Sequence, residues 1–178
     1  GSSSASVAAA VKSAIQPPGA SPSTVMSEGR SSTGAALSAT VTIAAGERVR
    51  ALGAERVAIA FLGDNVYPDG LRRSDHEGRA EDERRLEAQL AAVRRSGARG
   101  YLVPGNHDWE NGGPDGWEAV KRQTRFVAAR GALSVPPDGC PGPVSAQLGA
   151  RLGLVFLDTQ WWLHAGARPE GDGSGCAE

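Results

Sequence analysis

Val57-Ala58-Ile59-Ala60-Phe61-Leu62 is apolar without a break and ends abruptly on Gly63-Asp64-Asn65-Val66-Tyr67-Pro68-Asp69-Gly70. An uninterrupted apolar run of this length, closed by turn formers, reads as a strand covered on both faces, the pattern of a parallel sheet. A second burst, Gly100-Tyr101-Leu102-Val103, breaks in the same way at Pro104-Gly105-Asn106-His107-Asp108-Trp109-Glu110. Between the two lies the clearest helical stretch, residues 79 to 96. Asp82 and Glu83 sit near its start, Arg94 and Arg95 near its end, and Leu86, Leu90 and Val93 fall on one face. Its arginines read as an exposed helix face. Strand, helix and strand in this order make a parallel crossover, so both polar loops leave the carboxyl edge of one sheet, where ligands bind in open α/β folds.

Working outward, residues 115 to 130 form the next helix. Asp115 is placed to cap it, Glu118 lies in capping-box register, and Trp117, Val120 and Val127 supply part of an apolar face. Residues 131 to 143 are a Gly- and Pro-rich connection. Val144 to Leu148 and Arg151 to Leu157 flank Gly149-Ala150 and read as an antiparallel pair at a sheet edge. Upstream of Val57, the sequence suggests a strand near Leu37 to Ala44 and a short surface helix from Gly46 to Leu52. Residues 1 to 40, rich in Ser, Ala, Gly and Pro, read as a low-complexity, weakly ordered arm, and residues 166 to 178 as a flexible tail. The domain proper is expected over residues 41 to 165.

The chain has 178 residues, room for one ordinary domain, with 24 Gly and 11 Pro. Its 19 Lys and Arg against 20 Asp and Glu give a formal net charge of -1. That balance, with arginines dispersed over helices, lacks the electropositive footprint of a nucleic-acid-binding surface. No apolar run approaches the roughly 20 residues that cross a bilayer, so the material is expected to be soluble, its compartment unknown. Cys140 and Cys176 lack the C-x-x-C spacing of a redox or zinc site; they read as free thiols, with a single loop-closing disulfide as the other possibility.

The two polar loops offer hard oxygen donors and one imidazole, a set suited to divalent metal and phosphoryl chemistry. Alternatively, Asp64 and Asn106 cap turns and His107 is an ordinary loop residue. Gly63-Asp64-Asn65-Val66-Tyr67 followed by Gly105-Asn106-His107-Asp108 resembles the second and third signature blocks of the calcineurin-like metallophosphoesterases, over about residues 55 to 165. Leu157-Asp158-Thr159 looks like their later sheet strand. The resemblance implies an α/β fold, a metallophosphoesterase-like layered sheet with flanking helices. It also implies hydrolysis of phosphate monoesters or diesters by metal-activated water. By the same resemblance Asp64 would bridge two metal ions, of manganese, iron, zinc or nickel, and Asn106 would ligate the second. His107 would act as acid or transition-state stabiliser, and Asp108 would orient His107.

The family's earlier Asp-x-His block has no counterpart, because no Asp precedes Asp64 and no His precedes His76. Asp75-His76 has the wrong spacing. Downstream only His164 follows His107, in place of a further His and a Gly-His-x-His block, and Trp161-Trp162-Leu163-His164 reads as a structural ridge. The chain therefore reads as a fragment or a degenerate member with an incomplete sheet, whose exposed edge invites self-association. The competing expectation is a non-catalytic metallophosphoesterase-like domain with a structural or interaction role.

Overall fold

The computed structural model of the chain describes residues 7–11, 34–150, 152–170 and 176. Four strands form a parallel sheet in the order β1 (Val7–Val11), β2 (Val57–Leu62), β3 (Arg99–Val103) and β4 (Leu133–Ser134). The register pairs Val7 with Val57, Ala58 with Arg99 and Tyr101 with Leu133. The connections carry helices α1 (Gly34–Leu52), α2 (Arg79–Ser96) and α3 (Gly116–Ala128). A separate antiparallel pair, β5 (Val144–Leu148) and β6 (Leu152–Phe156), precedes the single turn of helix α4 (Gln160–Leu163). The architecture is thus α/β, with parallel and antiparallel sheets and flanking helices.

The period of two along β2 distributes its side chains between two cores. Val57, Ile59 and Phe61 face the helices and join Leu86, Leu90 and Val93 of α2, Phe126 and Val127 of α3, and Ala45 of α1. Ala58 and Ala60 face the other way, with Tyr101, against Leu148 of β5 and Phe156 of β6. Because both faces are covered, no polar residue interrupts the strand. Small alanines on the second face leave room for the Tyr101 ring, which lies 4.9 Å from that of Phe156.

α2 follows its sequence closely. Glu81 and Asp82 occupy its first turn, Arg94 and Arg95 its last, and Gly97 ends it in the left-handed conformation (φ 73°) with its N–H on the Val93 carbonyl. Asp82 is buried and receives Arg72 Nε at 2.8 Å and Arg72 Nη2 at 2.6 Å, a two-pronged pair that ties the preceding loop to the helix.

Several expectations are corrected. The strand near Leu37 and the separate helix at Gly46 are one helix, α1, despite the β-branched Val41, Thr42 and Ile43. Packing of Ala45, Val49 and Leu52 on the core outweighs local preference. The first forty residues are not wholly an arm: they contribute β1 and the start of α1. Asp115 does not cap α3 through its side chain, since its carboxylate takes Arg122 Nη2 at 2.7 Å instead. A charged guanidinium is a stronger partner than a backbone amide. Strand β6 stops at Phe156, which leaves Asp158 in the turn beyond it.

Cys140 and Cys176 form a disulfide with Cα atoms 5.8 Å apart, contrary to the reading as free thiols. It closes a loop of sequence separation 36, for which restriction of the unfolded chain contributes roughly 3 to 4 kcal/mol. Replacing both cysteines by serine is expected to lower the unfolding free energy from urea denaturation by an amount in this range, with the slope raised as the unfolded chain expands. An unchanged unfolding free energy would show that the link contributes nothing. Among the described residues, no helix is long and apolar enough to cross a membrane.

Candidate functional site

The loops after β2 and β3 meet at the carboxyl ends of two neighbouring strands. Gly63 (φ 90°) and Asp64 (φ 54°) both adopt left-handed conformations, which turn the chain sharply as it leaves the sheet. Gly105 has no room for a side chain: a Cβ there would stand 2.4 Å from the Asp64 backbone nitrogen and 2.4 Å from Asp64 Oδ1. Glycine is needed at 105 because the two loop backbones touch.

Asp108 holds this contact together. Its carboxylate is fully buried and accepts four hydrogen bonds, from Asn65 N (3.1 Å), Val66 N (3.1 Å), Gly105 N (2.8 Å) and Asn65 Nδ2 (3.0 Å). Burial pushes the Asp108 carboxyl up to about 6, against the pull of the four N–H donors toward the ionised form. Asn65 extends the junction, donating from Nδ2 to the Val103 carbonyl at 2.8 Å and accepting Gln89 Nε2 of α2 on its own carbonyl at 2.9 Å.

Asn65 Oδ1 and Gln89 Oε1 are buried without a partner among the described residues, whereas the polar groups nearer the loop tips satisfy one another. Asp64 Oδ2 accepts the Tyr67 hydroxyl at 3.1 Å, and burial, aided by the Asp64 charge, pushes that hydroxyl up to about 12. Tyr67 lies on the His107 ring at a centroid distance of 3.9 Å. His107 Nδ1 is 2.6 Å from the Pro68 carbonyl. Asn111 Nδ2 lies 3.0 Å from the same nitrogen, so Nδ1 carries the ring proton when it donates to the carbonyl and lacks it when it accepts from Asn111. Asn106 Nδ2 donates to Asn111 Oδ1 at 2.8 Å, and Asn111 Nδ2 donates to Pro68 O at 2.8 Å.

Asp64, Asn106, His107 and Asp108 are therefore brought to one sheet edge, but the donor set is not that of a metal centre. Among the described residues, no group of three or more His, Cys, Asp or Glu side chains is placed to hold a metal ion. The Asp64 carboxylate accepts from the Tyr67 hydroxyl and the His107 backbone amide, while the oxygens of Asp108 point into the loop junction. This overturns the expected centre of two manganese, iron, zinc or nickel ions on Asp64 and Asn106. With it fall metal-activated hydrolysis and the phosphate ester substrate that depended on it. The hydrogen bonds of Asp108 go to the other loop and to Gly105, not to His107.

No family model, curated protein or solved structure matches the chain.

Further residues matter that the sequence did not single out. Trp109 is 1% exposed and donates from Nε1 to Asp158 Oδ2 at 2.8 Å, linking the second loop to the turn after β6. It is thus a packed aromatic. Burial pushes Asp158 up to about 6, against its bonds from the indole and from the Gln160 and Trp161 amides. Asn65 and Asn111 carry no charge and sit beside more conspicuous residues. Their only signal in sequence is a small amide within a Gly- and Asp-rich turn.

Proposed function

We propose that the chain is a non-catalytic domain of metallophosphoesterase-like layout with a structural or interaction role. The main support is Asp108: its oxygens are committed to four N–H groups that join the two loops. A group so engaged is a fastener, and each donor it satisfies would otherwise be buried without a partner. The signature-like order of Gly63-Asp64-Asn65 and Gly105-Asn106-His107-Asp108 is the ground for the layout. An interaction role draws on Val155, Leu157, Trp162 and Leu163, which are exposed on β6, just after it, and on α4.

Titration of the purified chain with manganese and zinc, followed by gel filtration and elemental analysis, tests the proposal. The expected metal content is well below one ion per chain, with the same unfolding midpoint with and without metal, in the native chain and in Asp64→Ala alike. Tight binding of about two ions per chain, accompanied by the rise in midpoint that mass action demands, would overturn the proposal.

A further inference from the structure

His164 follows α4 and is buried in a slot built for a flat ring. It is 3% exposed, and neither ring nitrogen has a hydrogen-bond partner among the described residues. Its ring lies against that of Trp109, with centroids 4.9 Å apart and planes tilted by 43°. Glycines line the slot: a Cβ on Gly116 would stand 3.0 Å from Cε1, and one on Gly166 would stand 2.8 Å from Nε2. Gly116 is the first residue of α3, so the ring meets a helix amino end, whose positive potential opposes a cation. Arg168, on the segment after α4, donates to the His164 carbonyl and opposes a second positive charge. Among the described residues Glu110, in the short turn after Trp109, is the group that favours it, and its carboxylate is already engaged by the Asp115 amide at 2.7 Å. Asp158 stands behind Trp109, bonded to the indole.

We propose that His164 is an acid-release latch: as a neutral ring it holds the segment from Leu157 to Glu170 against Trp109 and α3, and protonation expels it and frees that segment. Release opens the amide bonds from Trp161 N to Asp158 O and from His164 N to Gln160 O that flank α4, the Trp161 Nε1 bond to Pro169 O at 3.0 Å, and the stacking of the Arg168 guanidinium over the Trp161 ring at 4.7 Å. The disulfide from Cys176 to Cys140 keeps the far end attached, so the opening is local.

The sign follows from the ring's burial, which together with Arg168 lowers its affinity for a proton in the closed form. The open form takes up a proton near the ordinary histidine value of about 6.5, so the closed form loses ground as the pH falls below that value. One proton changes the opening constant by up to about tenfold per pH unit. Asp158 acts in the opposite sense, because its raised value favours the closed, protonated form as the pH falls through about 6. Only a comparison that removes His164 and keeps Asp158 isolates the latch.

Native-state hydrogen exchange of the His164 and Trp161 amides between about pH 7.5 and 5.5, corrected for the chemical exchange step, provides that comparison for the native chain and His164→Phe. Phe retains the ring on Trp109 and removes the titration. The ratio of opening constants, native over variant, is expected to rise as the pH falls below about 6.5, by up to tenfold per unit. A ratio independent of pH overturns the proposal. Should His164→Phe not fold, the ring carbon and nitrogen resonances of His164 in the native chain decide. A closed-form signal that remains neutral at pH 6 supports the latch, and a smooth titration centred near 6.5 refutes it.

Discussion

Asp108→Ala is expected to cost about 4 kcal/mol at neutral pH. The carboxylate accepts from Asn65 N, Val66 N, Gly105 N and Asn65 Nδ2 in a fully buried position, so its removal strands four donors at once. A buried donor left without a partner costs roughly 1 to 3 kcal/mol, and local relaxation keeps the sum below four times that figure. Asp108→Asn keeps the shape but places an NH2 where two or more N–H groups point. It is expected to recover only about half the loss. The two variants should also differ from the native chain in pH dependence. The native carboxyl, held near 6 by burial and so above its unfolded value, contributes stability that is fully present below about 4 and lost as the pH rises through 6. Neither variant carries that titration. Urea unfolding of the three proteins at pH 5 and pH 8 checks both points. If Asp108→Ala lost less than about 1 kcal/mol, the carboxylate would not be the fastener of the two loops.

The parts of the fold that could be read from sequence are those in which local pattern and burial agree. Val57–Leu62 announces itself because β2 is covered on both faces, and α2 because its Leu86, Leu90 and Val93 stripe coincides with acidic and basic ends. The hairpin of β5 and β6 is marked by Gly149, whose φ of 64° its turn requires. Where tertiary packing overrides local preference the reading failed. Val41, Thr42 and Ile43 look like a strand but lie in α1, and Val7–Val11 is too short and too Ala-rich to stand out from its surroundings. The polar loops show a different limit. Asp, Asn and His in a strand-end turn have the same appearance whether their oxygens face an ion or one another's backbone amides. Only the three-dimensional contact between Gly105 and Asp64 and the direction of the Asp108 oxygens separate the two, and neither leaves a trace in spacing. The Cys140–Cys176 pairing was hidden for a related reason, since two cysteines allow a link without demanding one.

Trp109→Ala is expected to cost about 5 kcal/mol, from a third to all of the stability of a domain of this size. Deleting a fully buried aromatic costs roughly 3 to 5 kcal/mol through lost burial and the cavity left behind. At this position further losses add to it. Asp158 loses the indole donor, His164 loses the face it packs on, and Gly139, in the turn before Cys140, loses the indole edge that a Cβ there would meet at 3.0 Å. Trp109 thus joins the second loop, the start of α3, the 137–139 turn and the segment after β6. A domain of this size has a total stability of about 5 to 15 kcal/mol, so the variant should melt broadly or not at all. Trp109→Phe separates the ring from its N–H. It fills most of the space and removes only the donor to Asp158, for an expected loss of about 2 kcal/mol at pH 8. That loss should shrink toward pH 5. Asp158, raised to about 6 by burial, is ionised at pH 8 and needs the indole donor, whereas at pH 5 it is mostly protonated and the bond is weaker. Thermal melts of the native chain and Trp109→Phe at the two pH values supply the measurement. An equal loss at both would mean that the Trp109 to Asp158 bond does not carry charge in the folded protein, and that the tryptophan acts through its bulk alone.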